Sequence, residues 1–436
     1  MVHAPHSRLS NTLRPAVVGL ALLLASCTRA TVNAGQTVSI ELDASPHAVK
    51  SRAGFLHGMN GKTPAGKFLK AVQPGLWRAG ILTKDIYKRA TEAGARFTIV
   101  CSDYWGYDAK RMPLENRERY VALMEGIARR TKNLDIIYDI WNEPNVPAFF
   151  HGSFKEYCET FRLGHDTIRR IRPDAVIAGP STSGFVPKFL ERFLDYCLAQ
   201  NLQVQVLSWH DYRHGPKLAQ IPPTLLEVRR HALDSGKYKA VGIREIHINE
   251  AMDSTVYLSP ASVFATLTAF ELGRADAAGR SAWEEDFKNN LGGLLTVGDS
   301  QPRAVWWVYK YYAASLPRRV GMGLGGEGCA WSASIIPGKD QDELLVLLGC
   351  YRLTPGEEGM RPVDLDVKGV AAALGLAPDA SITVEGSLIP PTGSAALPSP
   401  RPLKPHTVQL SGGGLNHTVK LPIEGLLVLR VRPALP

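Results

Sequence analysis

Two glutamates that follow apolar segments are the candidates for catalytic chemistry. Glu143 comes after the apolar run Asp135–Trp141 and directly before Pro144, and Glu250 follows the run Ala240–Asn249. Proline has no N–H to donate to a strand ladder, so a strand that reaches Pro144 ends there and leaves Glu143 at its tip. Two carboxylates at strand ends have the chemistry of a general acid, a general base or a nucleophile.

Glu245 is a second candidate carboxylate in the segment of Glu250. It lies within the predicted strand, whereas Glu250 stands at the end of that strand, after the alternating Ile246 and Ile248. The two glutamates would be separated by about 16 Å at ~3.3 Å per residue, so both cannot lie opposite Glu143. The position at the strand end favours Glu250.

Short apolar runs alternate with amphipathic helical patterns through the middle of the chain. The runs predicted as strands are Ala53–His57, Leu76–Ala79, Arg96–Cys101, Asp135–Trp141, Ala175–Ala178, Val204–His210, Ala240–Asn249 and Ala304–Tyr309. Strands that alternate with helices indicate an α/β fold with a parallel sheet, and eight strands close a (β/α)8 TIM barrel. An open doubly wound sheet is the alternative, although no strand precedes a GxGxxG or Walker loop.

The character of the chain changes near residue 316, where glycines and prolines end the helical patterns. Only strand-like segments follow: Ala330–Ile335, Glu343–Cys350, Val363–Val367, Ser381–Glu385, Thr407–Leu410, Asn416–Leu421 and Leu426–Val431. Short strands at this spacing predict an all-β sandwich. We therefore expect a signal peptide at 1–27, an amino-terminal segment at 28–49 that can add the strand Thr37–Leu42 to the sandwich, a catalytic barrel at 50–316 and a sandwich at 317–436.

The segments around the two glutamates resemble a known enzyme family. The Trp-Asn-Glu-Pro motif that contains Glu143 resembles the acid/base signature of retaining glycoside hydrolases of the (β/α)8 clan A. The segment Asn249–Asp253 resembles the nucleophile segment of glycoside hydrolase family 39, whose members include β-xylosidases and α-L-iduronidase-like enzymes. The resemblance extends over residues 50 to 315. It implies that Glu143 is the acid/base and Glu250 the nucleophile of a retaining pair that requires no metal and no organic cofactor.

Polar residues at other strand ends are the predicted sugar-binding groups: His57, Arg78, Asn142, His210 and Tyr212. The resemblance implies that Asn142 bonds the sugar 2-hydroxyl and that His210 lies next to Glu250. We expect Arg78 to hold Glu250 ionised through a charge-assisted hydrogen bond. For His57, a contact with a sugar hydroxyl and simple packing are equally open.

Tryptophans are candidate platforms for the faces of sugar rings. Trp306 and Trp307 lie in the last predicted strand, and neighbouring strand residues point in opposite directions. One of them is therefore expected to face the barrel mouth, and the sequence does not tell which. Trp105 and its neighbour Tyr104, after the third predicted strand, are expected to form another sugar subsite.

The amino terminus has the pattern of an export signal. Arg8 and Arg14 precede the small apolar run Ala16–Ser26, which is too short to span a bilayer. The run ends in Leu-Ala-Ser-Cys, which resembles a bacterial lipobox with Cys27 as the lipidated residue. We expect an exported lipoprotein, periplasmic or on the cell surface, whose membrane contact is a lipid anchor; plain secretion is the alternative.

The cysteines beyond the lipobox have no zinc-like spacing. Cys329 and Cys350 fall in the same β-rich region and either pair in an oxidising compartment or remain buried thiols.

Composition limits the function classes. With 45% hydrophobic and 21% charged residues the chain is typical of globular proteins, which excludes a disordered or polytopic membrane protein. The net charge of +9 is spread without a long basic run, so no nucleic-acid partner is expected. The sequence and the resemblance thus predict a retaining glycosidase with an oligo- or polysaccharide substrate. An endo-acting polysaccharide hydrolase and a non-catalytic glycan-binding lipoprotein are the alternatives.

Overall fold

A computed structural model describes residues 36–434, except 109, 282–288 and 326. The predicted signal peptide and Cys27 lie outside the described residues, so export and lipidation stay predictions. Within the described part of the chain, no helix combines the length and the apolar character that crossing a membrane requires. The described residues belong to one compact unit.

Helices and strands alternate along the first two thirds of the described chain, and strands dominate the rest. The helices are α1 Gly66–Val72, α2 Lys84–Glu92, α3 Cys101–Trp105, α4 Arg117–Arg130, α5 Phe154–Ile171, α6 Pro187–Ala199, α7 Ile221–Arg229, α8 Pro260–Leu272, α9 Ala304–Ala314 and α10 Val370–Leu374. The strands are β1 Gln36–Glu41, β2 Ala53–Leu56, β3 Leu76–Ala79, β4 Arg96–Val100, β5 Ile136–Asp139, β6 Val176–Thr182, β7 Val206–Asp211, β8 Glu245–Ala251, β9 Ala277–Arg280, β10 Arg319–Gly325, β11 Cys329–Ile336, β12 Glu343–Cys350, β13 Met360–Lys368, β14 Ser381–Ile389, β15 Arg401–Pro402, β16 His406–Gln409, β17 Leu415–Pro422 and β18 Leu426–Pro433.

Local signals in the sequence explain where several barrel helices begin. Ser153 caps α5 by accepting from the Glu156 backbone N–H, while the Glu156 side chain accepts from the Ser153 backbone N–H. Pro187 and Pro260 stand in the first turns of α6 and α8, where a backbone N–H has no helical partner in any case. These signals fix the starts of helices that cover the barrel.

Strands β2 to β9 are parallel and close into a barrel. Every residue of β2, β3 and β5 is buried, as expected for strands that are covered by helices outside and packed against side chains inside. The predicted (β/α)8 barrel is confirmed, and the first seven predicted strands overlap the first seven observed ones. The carboxyl ends of these strands meet at one mouth.

The prediction of the eighth strand was wrong. The segment Ala304–Tyr309 lies in α9, and the strand that closes the barrel is β9. A short apolar run is compatible with a strand and with a buried helix, and periodicity alone does not separate them. The true strand, Ala-Ala-Gly-Arg, has no β-branched or aromatic residue to mark it.

Two sheets form the carboxy-terminal part of the chain, as the change of pattern near residue 316 predicted. One has the order β10-β11-β12-β18-β14-β15, with β16 also paired to β14, and the other has the order β1-β13-β17. Both sheets contribute buried residues to one hydrophobic core, among them Ile40, Val346, Leu365 and Leu429. The strand β1, from the amino-terminal segment, pairs in parallel with β13 and so lies among the carboxy-terminal strands.

Cys329 and Cys350 are directly opposite each other on β11 and β12. Their Sγ atoms are 3.3 Å apart, and both side chains are buried as free thiols. Of the two alternatives that the sequence left open, the structure contains the thiols, in contact with each other.

Candidate active site

A cavity of about 850 Å³ opens at the carboxyl ends of the barrel strands. It contains most of the polar residues that the sequence singled out. The residues of its wall that bear on the chemistry are His57, Arg78, Gly80, Asp103, Tyr104, Tyr107, Asn142, Glu143, Phe149, Tyr212 and Glu250. The site is therefore built from the ends of several strands that are far apart in sequence.

Glu143 stands in the loop that follows β5. Its backbone is in the left-handed region, with φ of 48°, and its N–H donates to the Ser181 carbonyl over 2.9 Å. A non-glycine residue in this region is strained and persists only where surrounding contacts hold it. The hydrogen bond to Ser181 is one such contact, and it fixes the backbone from which the Glu143 carboxyl reaches the cavity.

Glu250 lies within β8 and is 2% exposed. Its Oε1 accepts from Arg78 Nη1 over 2.6 Å, and its Oε2 accepts from the Tyr212 hydroxyl over 2.8 Å. Both of these residues, which the sequence placed at the site, are therefore direct donors to this carboxylate. These two hydrogen bonds hold the Glu250 carboxylate in a fixed orientation in the barrel mouth.

Arg78 connects Glu250 to a second buried carboxylate, Asp139. Its Nε donates to Asp139 Oδ2 over 2.9 Å, and its Nη2 donates to Asn142 Oδ1 over 2.7 Å. Burial by itself would lower the pKa of Arg78, but the charges of Asp139 and Glu250 raise that pKa above its ordinary value. Arg78 therefore remains a fixed cation that holds the carboxylates and the Asn142 amide in place.

Sequence reasoning missed the buried polar residues behind Arg78, which are Asp139, Ser181 and Asn249. Asp139 also accepts from Ser181 Oγ over 2.7 Å and from Asn249 Nδ2 over 3.0 Å. An acidic residue inside an apolar run was a signal for a buried polar role, but it did not reveal these partners. They come from β6 and β8 and meet Asp139 only when the barrel closes.

His210 lies between the two glutamates. Its Nδ1 is 2.8 Å from Glu143 Oε1, and its Nε2 is 3.6 Å from Glu250 Oε1. Burial lowers the pKa of His210 to about 4, against the raising effect of Glu250. The ring is therefore neutral at neutral pH and can meet either protonation state of Glu143, by accepting from the acid or donating to the carboxylate.

The two glutamates differ in their electrostatic surroundings. Burial raises the pKa of Glu143, an effect that the charge of Arg78 only partly offsets. Glu250, by contrast, receives a guanidinium and a hydroxyl as donors. Two carboxyl groups held in environments this different are the arrangement expected of an acid and a nucleophile.

Glu143, His210 and Glu250 also form a group of possible metal ligands among the described residues, since one donor atom from each lies within 4.8 Å of the others. The Arg78 guanidinium already bonds the Glu250 oxygen that faces this group. A cation placed there would be repelled by the guanidinium, so the donor set does not fit a metal centre.

Three predicted aromatic platforms do not line the cavity. Trp306 and Trp307 belong to α9, where their indole N–H groups donate to the carbonyls of Phe68 and Leu397. Trp105 is 7% exposed and donates to the Arg111 carbonyl. The expectation that one of Trp306 and Trp307 faces the mouth was wrong, because both lie in a helix and not in the eighth strand. The expected subsite at Trp105 is not formed by that ring, which is packed within the fold.

Other aromatics occupy the cavity wall instead. Tyr104, next to Trp105 in sequence, lines the cavity together with Tyr107 and Phe149. The rings of Tyr107 and Phe149 meet edge to face, with centroids 4.9 Å apart. Sequence reasoning named Tyr104 only beside Trp105 and gave no weight to the other two, which follow strands without standing at their ends.

His57 and Glu245 have different surroundings. His57 lines the cavity with φ of 52°, and burial together with the charge of Arg78 lowers its pKa to about 4. Glu245 begins β8 and bonds Arg96 over 2.6 Å and His247 over 2.8 Å. It does not line the cavity, in keeping with the preference for Glu250.

Comparisons with known proteins show which family and which folds this chain is similar to. The model of the family "Glycosyl hydrolases family 39" matches residues 126–265, a segment that contains Glu143, His210 and Glu250. A β-xylosidase of Geobacillus stearothermophilus is 26% identical over 77 residues, which are 17% of this chain and 15% of that protein. The match thus spans a small part of the relative's length.

Solved structures share the fold over nearly the whole chain. A protein from Neocallimastix frontalis has a TM-score of 0.73 at 18% identity, and the similarity covers 92% of this chain and 100% of that one. The GH39 enzyme of Xanthomonas axonopodis pv. citri has a TM-score of 0.62 at 13% identity, and the similarity covers 93% of this chain and 99% of that one. A monomeric β-xylosidase of Caulobacter crescentus has a TM-score of 0.61 at 14% identity, and the similarity covers 92% of this chain and 100% of that one. Across the strands that carry both glutamates the chain is therefore similar to glycoside hydrolase family 39, and its closed barrel is the fold of the solved structures that it matches.

Proposed function

We propose that the protein is a retaining glycosidase that cleaves O-glycosyl bonds by double displacement. The observation that carries this proposal is the separation of the two carboxylates, which present oxygens within 4.8 Å of each other and of His210. Retaining enzymes hold their carboxyl groups about 5–5.5 Å apart, whereas inverting enzymes need about 6.5–9.5 Å to admit a water between them. The spacing favours the covalent route.

In the first step, Glu143 donates a proton to the leaving oxygen while Glu250 attacks the anomeric carbon. Burial keeps Glu143 protonated to higher pH than an exposed glutamate, because burial raises its pKa. Arg78 and Tyr212 orient the Glu250 carboxylate for attack. The bond to the leaving group breaks and an ester between Glu250 and the sugar forms. The alcohol departs with the proton from Glu143.

In the second step, Glu143 acts as a base. Esterification removes the negative charge of Glu250, so the positive charge of Arg78 acts more strongly on Glu143 and lowers its pKa. The Glu143 carboxylate then takes a proton from water, whose oxygen attacks the anomeric carbon and releases Glu250. His210 can stay in contact with Glu143 through Nδ1 in both protonation states.

For the substrate we propose a β-xyloside or a related glycoside released by exo-action on plant or bacterial glycans. The short sequence match to a β-xylosidase and the fold shared with another support this choice. Asn142 is suited to bind the sugar 2-hydroxyl, because its Oδ1 is held by Arg78 and its amide N–H groups have no partner among the described residues. A contact there strengthens as charge develops in the transition state.

The proposal is tested with aryl glycosides and the Glu143→Ala variant. We expect proton NMR of the first product to show the same anomeric configuration as the substrate. Glu143→Ala should slow substrates with poor leaving groups far more than activated aryl glycosides, and azide should restore turnover as a glycosyl azide of retained configuration. Glu118→Ala, on an exposed face of α4, is the control and should leave turnover unchanged.

An inverted first product would overturn the double displacement. Equal losses on both leaving groups with no azide product would overturn the role of Glu143 as acid/base.

A further inference from the structure

Asp103 is a cavity carboxylate that the double displacement does not use. It lies on α3, which begins directly after β4, and its side chain is exposed to the cavity. It is near enough to the catalytic centre for its charge to act on Arg78. An acidic group in this position has either a structural role or a role toward the substrate.

The contacts of Asp103 fix one carboxylate oxygen and leave the other available. The Tyr107 hydroxyl donates to Oδ1, and Tyr107 is itself 3.0 Å from Ser102 Oγ. Oδ2 has no hydrogen-bond partner among the described residues and lies against Gly80, which also lines the cavity. A Cβ at position 80 would clash with Oδ2, so only glycine leaves space for the carboxylate.

The charges around the cavity favour a neutral ligand. The described lining residues include three carboxylates, those of Asp103, Glu143 and Glu250. Arg78 is the cation among them, and its Nε, Nη1 and Nη2 already donate to Asp139, Glu250 and Asn142. A sugar carboxylate bound here would be close to like charges and would find no unused guanidinium in the described lining.

We propose that Asp103 accepts a hydrogen bond from a hydroxyl of the bound sugar and so selects neutral glycosides over glycosides of uronic acids. The inference rests on the proposed function and adds a specificity-determining residue to it. A carboxylate is a strong acceptor for a sugar hydroxyl, since hydrogen bonds to charged groups are stronger than those between neutral ones. The same charge repels a uronate.

The test measures kcat/KM for an aryl β-xyloside and for its counterparts that each lack one hydroxyl. In the wild type, loss of the hydroxyl bound by Asp103 should lower kcat/KM about 10- to 100-fold. In Asp103→Ala, removing that same hydroxyl should cause little further loss. Asp103→Asn, which keeps the shape and an acceptor for Tyr107, guards against misfolding and should show an intermediate dependence.

A second comparison tests the charge. The wild type should have a higher kcat/KM for an aryl β-glucoside than for the matched aryl β-glucuronide. In both Asp103 variants the ratio of these two kcat/KM values should move closer to one. Burial raises the pKa of Asp103 against the lowering effects of the Tyr107 hydroxyl and the Arg78 charge. The comparison is therefore made at several pH values, and the preference for the glucoside should grow as Asp103 ionises. Asp108→Asn is the matched control, since Asp108 is an exposed carboxylate nearby in the chain that bonds Arg111 and does not line the cavity. It should leave both comparisons as in the wild type.

The outcomes separate this inference from the proposed function. If the wild type hydrolyses aryl glycosides but the Asp103 variants retain its full dependence on every hydroxyl, the inference is overturned and the glycosidase stands. If the wild type hydrolyses the glucuronide as well as the glucoside, the selection by charge is overturned. If the wild type hydrolyses no glycoside of either kind, the proposed function fails and the inference falls with it.

Discussion

Arg78 Nη1 lies 2.6 Å from Glu250 Oε1, and both side chains are buried in the barrel mouth. The guanidinium has a second anionic partner, Asp139, at 2.8 Å. Its planar fork lets one residue hold both carboxylates and the Asn142 amide at fixed angles, which a lysine ammonium does not reproduce. The contact therefore links the position of the proposed nucleophile to the buried polar residues behind it.

Arg78→Lys should damage both stability and turnover. Because lysine keeps the charge but cannot reproduce the forked hydrogen bonds to Asp139, Glu250 and Asn142, we expect the free energy of unfolding to fall by about 1–3 kcal/mol. We expect kcat to fall by about 100-fold or more, since the orientation of Glu250 is lost. Urea unfolding followed by tryptophan fluorescence and steady-state kinetics measure the two effects.

Arg117→Lys is the control for that substitution, because Arg117 is an exposed arginine whose ion pair with Glu159 is 4.0 Å long. It should change the free energy of unfolding by less than about 0.5 kcal/mol. A wild-type kcat in Arg78→Lys would contradict the role of Arg78 as the group that holds Glu250.

His210→Phe tests whether the histidine positions Glu143 or titrates itself. Burial holds the pKa of His210 at about 4, so it should contribute no limb to the pH profile near neutral pH. We expect kcat/KM to fall about 10- to 100-fold because the bond to the Glu143 carboxyl is lost. The alkaline limb should persist in His210→Phe and vanish in Glu143→Ala with activated substrates, because the limb reports the raised pKa of Glu143.

His165→Phe is the matched control, since His165 is a buried histidine of α5 that bonds Asp166 and lies outside the cavity wall. It should leave the pH profile unchanged. Loss of the alkaline limb in His210→Phe would show that the histidine, not Glu143, carries the titration.

The apolar runs predicted the barrel because its strands are buried on both faces and stand between amphipathic helices. The eighth strand escaped prediction, since Ala277–Arg280 has the small residues of a turn and is recognised only by its pairing with β2 and β8. The aromatic residues of α9 were predicted to form that strand instead. Because they lie in a helix, the sugar platforms predicted at Trp306 and Trp307 were wrong as well.

The glutamates could be located from sequence because a strand end and a motif coincide there. The network around them could not, because its members are far apart in the chain. Asp139 is 61 positions from Arg78 and 110 from Asn249, and only barrel closure brings the three together. Asp103 was hidden for a related reason, since the chain turns into α3 where a continued strand through Cys101 was expected.

Glu424 joins the carboxy-terminal sheets to the helix that follows β8. Its Oε2 accepts from the Ser262 backbone N–H over 3.1 Å, and its Oε1 accepts from Ser262 Oγ and the Arg352 N–H, both over 2.9 Å. A carboxylate at the start of α8 satisfies helix N–H groups that have no partner within the helix and also interacts favourably with the helix dipole.

Glu424→Gln should lower the free energy of unfolding by about 1–3 kcal/mol, because the amide turns an N–H group toward a donor and leaves it unsatisfied. Urea unfolding measured by circular dichroism checks this. Glu358→Gln, at an exposed carboxylate in the neighbouring loop, is the control and should be neutral. Equal stability of the two variants would mean that the Glu424 contacts do not hold the sheets against the barrel.

Glu250 and Glu245 differ in chemistry as well as in position. A slow 2-deoxy-2-fluoro glycoside matched to the substrate should leave a covalent sugar on the peptide at Glu250, seen by mass spectrometry after digestion. Glu250→Gln should lose nearly all turnover and still bind ligand. A label on Glu245 would overturn the assignment of the nucleophile.

Glu245→Gln should instead change stability in acid. Burial alone would raise the pKa of Glu245, but the hydrogen bond with His247 and the charges of His247 and Arg96 lower it to about 2. A folded-state pKa below the ordinary value of 4.5 means that the ionised form stabilises the fold above that pH and that this contribution is lost as the pH falls through about 2. As the pH falls from 4.5 to about 2, the wild type should therefore lose its stability advantage over Glu245→Gln, as measured by urea midpoints. The kcat of Glu245→Gln at neutral pH should stay near the wild-type value, because Glu245 lies outside the cavity.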